Sequence, residues 1–531
     1  MKRRVMSMLA GAILAASTFL TPGVASAATQ PPSPPAEFGT DWHDPVTAAP
    51  PVTRPHTTAC EVTVAEAQFR DFTPYTGTYT PPEGCGDRWS KVVLRLEGKV
   101  KGRQYDRLGS LHIGGVLVLQ TSTPEPSPDG IAWNVEKDVT RYSATLRSPQ
   151  PVSMLIGNTV NDTYTGVIDT KVTLTFYAAA PSTRPARTPD RILTPAADGT
   201  LTTPRNTERL LAEVYATGSG GGCEETWYLT VPTAAGYSCK ADNGPYREVQ
   251  IRVDGQLAGI AAPFPNVWTG GWSNPFLWYV IPGPRAFDVK PIEYDLTPFA
   301  GLLNDGRPHR IEASVLGVPA DQSGWSPSVN VLAWQDAGRA HVTGALTHST
   351  AGPLTNATTY TPAPAGELNR LDNKGGHSLT TSGYLDTSHG RITTTVTRTL
   401  TSRSAHQWTA SEDTDAIKAT WNDRENVGTG GHATRTDRTY TMDGTVTLGT
   451  DDRLRTVITL GDRSAQSSGK EWSVLDDTYT GDASYASSAP REERHAVGVT
   501  SERYRAYGPA LCYDRELRTE QGMLTLDRTR C

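Results

Sequence analysis

Arg103, Asp106 and Arg107 lie together in GRQYDRLG, between two runs that read as β-strands, VVLRLEGKV before and SLHIGGVLVLQT after. A carboxylate kept ionised by neighbouring guanidiniums can take a proton from water or return one to a leaving group. The guanidiniums can donate to an oxygen that gains charge. The same triplet also suits a solvated β-turn in which Asp106 only pairs with Arg107. A second acidic cluster, Glu224 and Glu225, follows Cys223 in CEETW; its plain alternative is an exposed strand.

The elements that must hold these residues are strands. The 531-residue chain has 49 Gly and 39 Pro, and it is rich in Thr, which favours short strands and many turns. The fold expected is all-β: two adjacent jelly-roll-like β-sandwich domains, then a C-terminal antiparallel β-rich region. The boundaries read as residues 59–180 and 192–342 for the two sandwiches, a Pro-rich linker at 181–191, and residues 343–531 for the last region. In the second sandwich, YREVQIRVDGQLAG alternates through Val249, Ile251 and Val253 to a turn at Asp254-Gly255. One helical turn is expected near LTPFAGLLNDG. The third region has alternating strands dense in Thr and Arg, polar on one face and thin on the other, which predicts an antiparallel meander or a sandwich.

Residues 1–27 have the basic start, apolar middle and ASA ending of a secretory signal. Residues 28–58 are rich in Pro, Ala and Thr, and are expected to be poorly ordered. No later apolar run is long enough to cross a bilayer, so a secreted, extracellular monomer without a membrane anchor is expected. The formal charge is −6, and removal of Lys2, Arg3 and Arg4 with the leader makes it −9, which disfavours a nucleic-acid partner. Six cysteines in an exported chain imply disulfides; proximity selects Cys60–Cys85, Cys223–Cys239 and Cys512–Cys531. Each such bridge is worth roughly 2–4 kcal/mol. Cysteines so paired leave no thiolate nucleophile. The absence of CxxC and HxxxH spacing speaks against a metal, and no cofactor is expected.

Several long segments resemble the peptide-N4-(N-acetyl-β-glucosaminyl)asparagine amidase A family. They include VVLRLEGKVKGRQYDRLGSLHIGGVLVLQTSTPEPSPDGIAWNVEKDVTRYSATL, IGNTVNDTYTGV, GGCEETWYL, GPYREVQIRVDGQLAG and WTGGWSNPFLWYVIPGPRAFDVKPIEYDLTPFAGLLNDGRPHRI. The resemblance is strong from Cys60 to Ile311 and weak beyond. It implies hydrolysis of the amide between an asparagine side chain and the first N-acetylglucosamine of an N-glycan, on glycopeptides or glycoproteins. Asparagine would become aspartate and the glycan would leave as a glycosylamine.

A more distant likeness, to bacterial two-jelly-roll peptide:N-glycosidases, implies roles for single residues. Tyr105-Asp106-Arg107 is similar to their tryptophan–aspartate–arginine motif, which makes Asp106 the catalytic acid–base. CEETW is similar to their Cys-x-Glu-Trp stretch, which makes Glu225 the partner; the extra Thr226 before Trp227 keeps Glu224 as a rival. Arg103 and Arg107 would hold Asp106 ionised and bind substrate oxygens. From the residues themselves, Glu136 is a candidate to line the cleft, Asn158 and Asp162 at a strand end suit either sugar hydroxyls or a turn, and Arg247 would pair with a cleft carboxylate or lie on the sheet. Trp227, Trp268, Trp272 and Trp278 carry indoles suited to stacking on sugar rings, with core packing as their alternative.

Overall fold

The computed structural model describes residues 42–531 except 181–186, 221, 267–276, 365 and 491–492. The expected leader, Trp268 and Trp272 lie outside the described residues. What is described is all-β, with antiparallel sheets and only single turns of helix.

The first domain has eight strands: β1 (Ala59–Phe69), β2 (Tyr75–Tyr79), β3 (Trp89–Lys101), β4 (Leu108–Ile113), β5 (Val116–Ser122), β6 (Ile131–Asp138), β7 (Gln150–Ile156) and β8 (Val167–Ala178). They form two sheets in the orders β1-β8-β3-β6 and β2-β7-β4-β5. The second domain also has eight: β9 (Arg191–Leu193), β10 (Thr200–Leu201), β11 (Thr207–Tyr215), β12 (Glu248–Val253), β13 (Gln256–Ala261), β14 (Ile292–Asp295), β15 (His309–Leu316) and β16 (Ser328–Gln335). Their orders are β14-β11-β16-β9 and β10-β15-β12-β13. Subtracting eight from each label returns the order of the first domain. The two domains are therefore the same jelly roll, wound twice.

Local chemistry accounts for these elements. In the β12–β13 hairpin Asp254 and Gly255 have φ of 49° and 79°, the two left-handed residues of a type I′ turn, which matches strand twist. Phe299, Ala300 and Leu303, in the helical turn expected near LTPFAGLLNDG, seal the end of the second roll. All three disulfides expected from proximity are present, with Cα separations of 6.0, 5.3 and 5.6 Å. Every residue of β5 is buried, because the second roll covers its free edge. Ser122 N–H donates to the Ala286 carbonyl at 2.8 Å and Val289 N–H to the Gln120 carbonyl at 2.9 Å. Asn330 brackets Leu117, accepting its N–H at 3.1 Å and donating to its carbonyl at 2.9 Å.

The third domain is a single sheet of eleven strands: β17 (Thr343–Ala351), β18 (Thr355–Thr361), β19 (Asn369–Thr387), β20 (Gly390–Trp408), β21 (Thr414–Thr429), β22 (His432–Leu448), β23 (Arg453–Ser468), β24 (Glu471–Ala486), β25 (Val497–Gly508), β26 (Leu511–Glu520) and β27 (Met523–Thr529). From β19 onward it is a meander. Of the two architectures expected, the sandwich is ruled out: the two rolls serve as the second layer. Trp421 packs edge-on against Trp227, and Tyr479 stacks on Trp278 with centroids 4.6 Å apart. Arg285 of the second roll lies against both the Phe264 and Tyr440 rings and pairs with Asp462. The outer face carries cross-strand pairs such as Arg455–Asp482, Arg463–Asp476 and Arg503–Asp514, which keep a long flat surface charged.

Residues 42–58 correct the expectation of disorder. They form a strap that touches all three domains. His43 N–H donates to Gly522 and Val46 N–H to Val280, Asp44 accepts from Ala132 N–H at 2.8 Å, and the Ala48 carbonyl accepts from Tyr513 at 3.0 Å. Pro-rich composition lowers the entropy lost on fixing such a segment, and these bonds then hold it.

Ala48 N–H donates to Glu502 at 3.0 Å, and Glu502 shares its burial with Asp477 on the neighbouring strand. Burial pushes the Glu502 carboxyl up to about 7; burial and Glu502 also raise Asp477. The folded form thus holds a proton that the unfolded chain releases near pH 4.5. The Glu502 contribution to stability is therefore full below that pH and is lost as pH rises through about 7, at about 1.4 kcal/mol per unit of displacement, and the raised Asp477 carries the loss further up. Glu502→Gln keeps the acceptor for Ala48 and removes the Glu502 part of this loss. Melting curves at pH 5 and pH 8 should show a smaller difference for the variant than for the unaltered protein.

Candidate active site

Asp106 sits in the connection from β3 to β4, Glu125 in that from β5 to β6, and Tyr164 in that from β7 to β8. Successive strands of a jelly roll alternate in direction, so these three connections emerge at one end. Gly102 makes the first bend possible. Its φ is +100°, and a Cβ there would meet Thr165 Oγ1 at 2.6 Å. The chain then turns so that the Arg103 carbonyl accepts from Gly166 N–H at 3.0 Å. Buried Gln104 pins the loop, donating to the Thr159 and Gly166 carbonyls at 3.1 Å each. Arg107 and Thr123 exchange two 2.9 Å bonds, which fix the Asp106 loop to the Glu125 loop.

Asp106, Arg103, Arg107 and Glu125 are half-buried and electrostatically linked. Burial pushes the Glu125 carboxyl well above the usual range and the Asp106 charge adds to this; Arg103 and Arg107 oppose it without cancelling it. Burial also lowers Arg107, against the pull of Asp106. Two close carboxyls in a low dielectric are least costly with one proton between them. Arg107 donates its Nε to Gln104 Oε1 at 3.0 Å, which aims the guanidinium along the loop. Arg103 lies over the Tyr164 ring at 5.6 Å, and Tyr105 packs against Tyr164 at 5.0 Å. Burial pushes the Tyr105 hydroxyl up to about 12, so it stays a donor. Tyr279, from the second roll, is close enough to Glu125 and Tyr105 to feel their charges. The arrangement offers one acid, one base and several donors at one mouth.

Glu125 is the residue that sequence reasoning missed. The signal was TPEPS, one acid held between two prolines straight after β5, a strand that opens on the apolar run VLVL. The order of the strands, not their sequence, shows that it shares an end with Asp106.

Other expected residues fall elsewhere. Glu224 and Glu225 occupy the β11–β12 connection, the counterpart in the second roll of the loop carrying Asp106. Glu224 is fully buried and bound in a fork by Arg247 at 2.8 and 2.6 Å, with Trp325 donating a third bond at 2.7 Å. Its acceptors are spent and it has no surface, so Glu224 and Arg247 are corrected to a structural clasp. Glu225 is half-buried beside Tyr228, whose hydroxyl feels its charge. Asn158 is fully buried; it donates to the Phe69 and Gly166 carbonyls and accepts from Thr159 N–H, so it shapes the loop rather than meeting a substrate. Glu136 pairs with Arg54 and Arg95 and anchors the strap, not a cleft. Trp227 and Trp278 are 1% and 2% exposed, which takes them from sugar contact to the core between the rolls and the third sheet. Asp162 is exposed in a turn that Asn161 ties through Thr163 and Tyr164 N–H.

Fold and site together define a twice-wound jelly-roll protein with a carboxyl pair at the mouth of its first roll. Residues 45–351, more than half the chain, match the family of peptide N-acetyl-beta-D-glucosaminyl asparaginase amidase A, and the chain belongs to that family. Peptide-N4-(N-acetyl-beta-glucosaminyl)asparagine amidase A of Prunus dulcis is 30% identical over 383 residues, which cover 65% of this chain and 66% of the relative. The chain thus spans just under two thirds of that relative's length. Among solved structures, PNGase F, a glycosylasparaginase from Flavobacterium meningosepticum, aligns over 52% of this chain and 96% of its own at 12% identity and a TM-score of 0.35. PNGF-II aligns over 52% of this chain and 65% of its own at 15% identity and a TM-score of 0.36.

Proposed function

We propose that this protein hydrolyses the amide between an asparagine side chain and the first N-acetylglucosamine of an N-glycan on peptides or proteins. Family membership supports the reaction class, and the Asp106–Glu125 pair is the observation that carries it. Amide hydrolysis needs a base for water, donors for the carbonyl oxygen and an acid for the leaving nitrogen. Asp106, kept ionised by Arg103 and Arg107, takes a proton from water as its oxygen attacks the carbonyl carbon. The guanidiniums steady the oxygen that becomes negative. Protonated Glu125 gives its proton to the nitrogen as the carbon–nitrogen bond breaks. Aspartate remains on the peptide, and the glycan leaves as a glycosylamine, which loses ammonia to water. Glu225 is a second acid available from the neighbouring roll. Trp268 and Trp272, outside the described residues, are offered for stacking on sugar rings because glycines flank their indoles. The leader-like residues 1–27 and the three disulfides support secretion as the setting in which this occurs.

The test is incubation with an N-glycosylated peptide in heavy-oxygen water, read by mass spectrometry. A sugar-free peptide with one heavy oxygen in a new aspartate is expected. Peptide retaining one N-acetylglucosamine would make the protein a glycosidase, and intact glycopeptide retained on the protein would make it a binder. Either result overturns the proposal. The same assay gives a pH profile. Because Glu125 must be protonated, activity falls as pH rises through its raised value, so the alkaline limb lies above the ordinary carboxylate range. Glu125→Gln removes that limb and lowers the rate on the order of 10²–10⁴-fold.

A further inference from the structure

Near the β23–β24 turn the outer face of the third sheet changes character. Trp472 is 47% exposed there, and Val474, two residues along on the same face, is 37% exposed. The other two tryptophans of this sheet, Trp408 and Trp421, are buried. Strand register puts Trp472 at the end of a straight row. Asn426 on β21 stands opposite Arg435 on β22, Arg435 opposite Ser467 on β23, and Ser467 opposite Trp472 on β24. Residues paired in register share a face, and strands lie about 4.8 Å apart, so the row is about 14 Å long. The adjoining row, Thr395, Gly428 and Ala433, carries smaller side chains. Together the two rows line a groove of about 380 Å³ that runs up to Ser467. The side chains of Asn426, Ser467 and Trp472 make no hydrogen bond among the described residues. Arg435 is aimed by Asp437, which accepts from its Nε at 2.6 Å and its Nη2 at 3.1 Å, and from Arg424 Nε at 2.6 Å. One carboxylate thus answers two guanidiniums, and Arg435 Nη1 is left for a ligand.

We propose that this row is a second glycan-binding surface: one sugar ring of an oligosaccharide lies flat on the Trp472 indole, and the hydroxyls of the next sugars meet Ser467, Arg435 and Asn426. A sugar ring has an apolar face and a polar rim. The broad indole suits the face. An amide and a hydroxyl each donate and accept, and a guanidinium donates, which suits the rim. A protein partner asks for a broad apolar centre, whereas here one indole and one valine end a polar row. The opposite face of the sheet is occupied by the rolls through Trp421 and Tyr479. The glycan held on the outer face is therefore a second one on the same glycoprotein, not the one being cut. In this respect the inference rests on the proposed function: a substrate with several N-glycans is held by one while another is hydrolysed, which raises its local concentration.

Two measurements on the full-length protein test this. In the first, free N-glycan oligosaccharides carrying a diazirine are photo-crosslinked to the protein and the adducts are mapped by mass spectrometry. One probe is neutral and mannose-rich; the other ends in sialic acid. Neither has an amide to the peptide, so the result does not depend on turnover. Adducts on β21–β24 around Asn426, Ser467 and Trp472 are expected, and the probe that labels better tells whether Arg435 selects an acidic sugar. Trp472→Ala is expected to weaken this labelling about tenfold, the worth of one stacked ring, and Trp472→Phe to keep most of it. Asn426→Ala with Ser467→Ala should weaken it severalfold. All three side chains are exposed, so the melting temperature should not move. The second measurement is kinetic. Trp472→Ala should raise KM severalfold for a glycoprotein bearing several N-glycans, with kcat unchanged, and alter neither constant for a peptide bearing one. No adducts on β21–β24 with either probe, or adducts that survive Trp472→Ala undiminished, would overturn the proposal. So would an equal rise in KM on the single-glycan peptide. An unaltered protein that releases no sugar-free peptide would overturn the proposed function instead, and the crosslinking would still decide whether this surface binds glycan.

Discussion

Asp106→Asn is expected to reduce glycopeptide cleavage by about 10²–10⁴-fold, the usual worth of a positioned acid or base, with the melting temperature almost unchanged. The substitution keeps the shape of the side chain and removes only its charge and basicity. Water in the cleft then has no group to take its proton, and the carbonyl is attacked by neutral water. A second effect follows on Glu125. Its carboxyl is raised partly by the Asp106 charge, so the neutral amide lowers it toward the ordinary range. What alkaline limb remains should shift toward acid. Initial rates by mass spectrometry across pH check both points. A variant retaining more than a tenth of the activity would remove Asp106 from the role of base.

Glu224→Gln is expected to lower stability by about 3–5 kcal/mol, the cost of leaving a buried charge without its partner. Arg247 and Glu224 have no side-chain exposure, so water cannot replace the lost carboxylate. The Trp325 indole would also lose a charged acceptor. The pair clasps the long β11–β12 connection, which the Cys223–Cys239 bridge closes beside it. Denaturant titration of the variant should show an early transition, and Glu224→Gln with Arg247→Met should restore part of the loss by removing the stranded cation. Below that transition the variant should still cleave glycopeptide, which separates the clasp from the chemistry. A loss under about 1 kcal/mol would mean that the pair behaves like a surface contact.

Local signals in the sequence were legible wherever neighbours along the chain decide the outcome. The three disulfides close short loops, the Asp254-Gly255 turn needs only its own backbone, and the strands of the rolls announce themselves by alternation. Asp106 was found because charge between two apolar runs is conspicuous. Glu125 was not, because its meaning comes from β5 and β6 delivering it beside a loop nineteen residues earlier. Glu224 and Glu225 look alike in CEETW; only the buried guanidinium of Arg247 separates them. Trp227 and Trp278 look like sugar platforms for the same reason that they suit a core, since an indole is broad and apolar. Their true partners, Trp421 and Tyr479, lie about two hundred residues away. The strap read as disorder because composition reports what a segment can bury within itself, and this one is held by others.

That strap has a consequence for the order of events in the life of the chain. His43 is bonded to Gly522 and Leu524, and Ala48 to Tyr513 and Glu502. The first described residues are therefore fastened by β25, β26 and β27, which are synthesised after both rolls. Both rolls can wind as they emerge, but the bonds that hold His43 beside the stack of Trp42 on Tyr279 wait for the β26–β27 hairpin. The strap is thus closed only after the third sheet has been made, and a molecule that lacks β25–β27 carries both rolls without it.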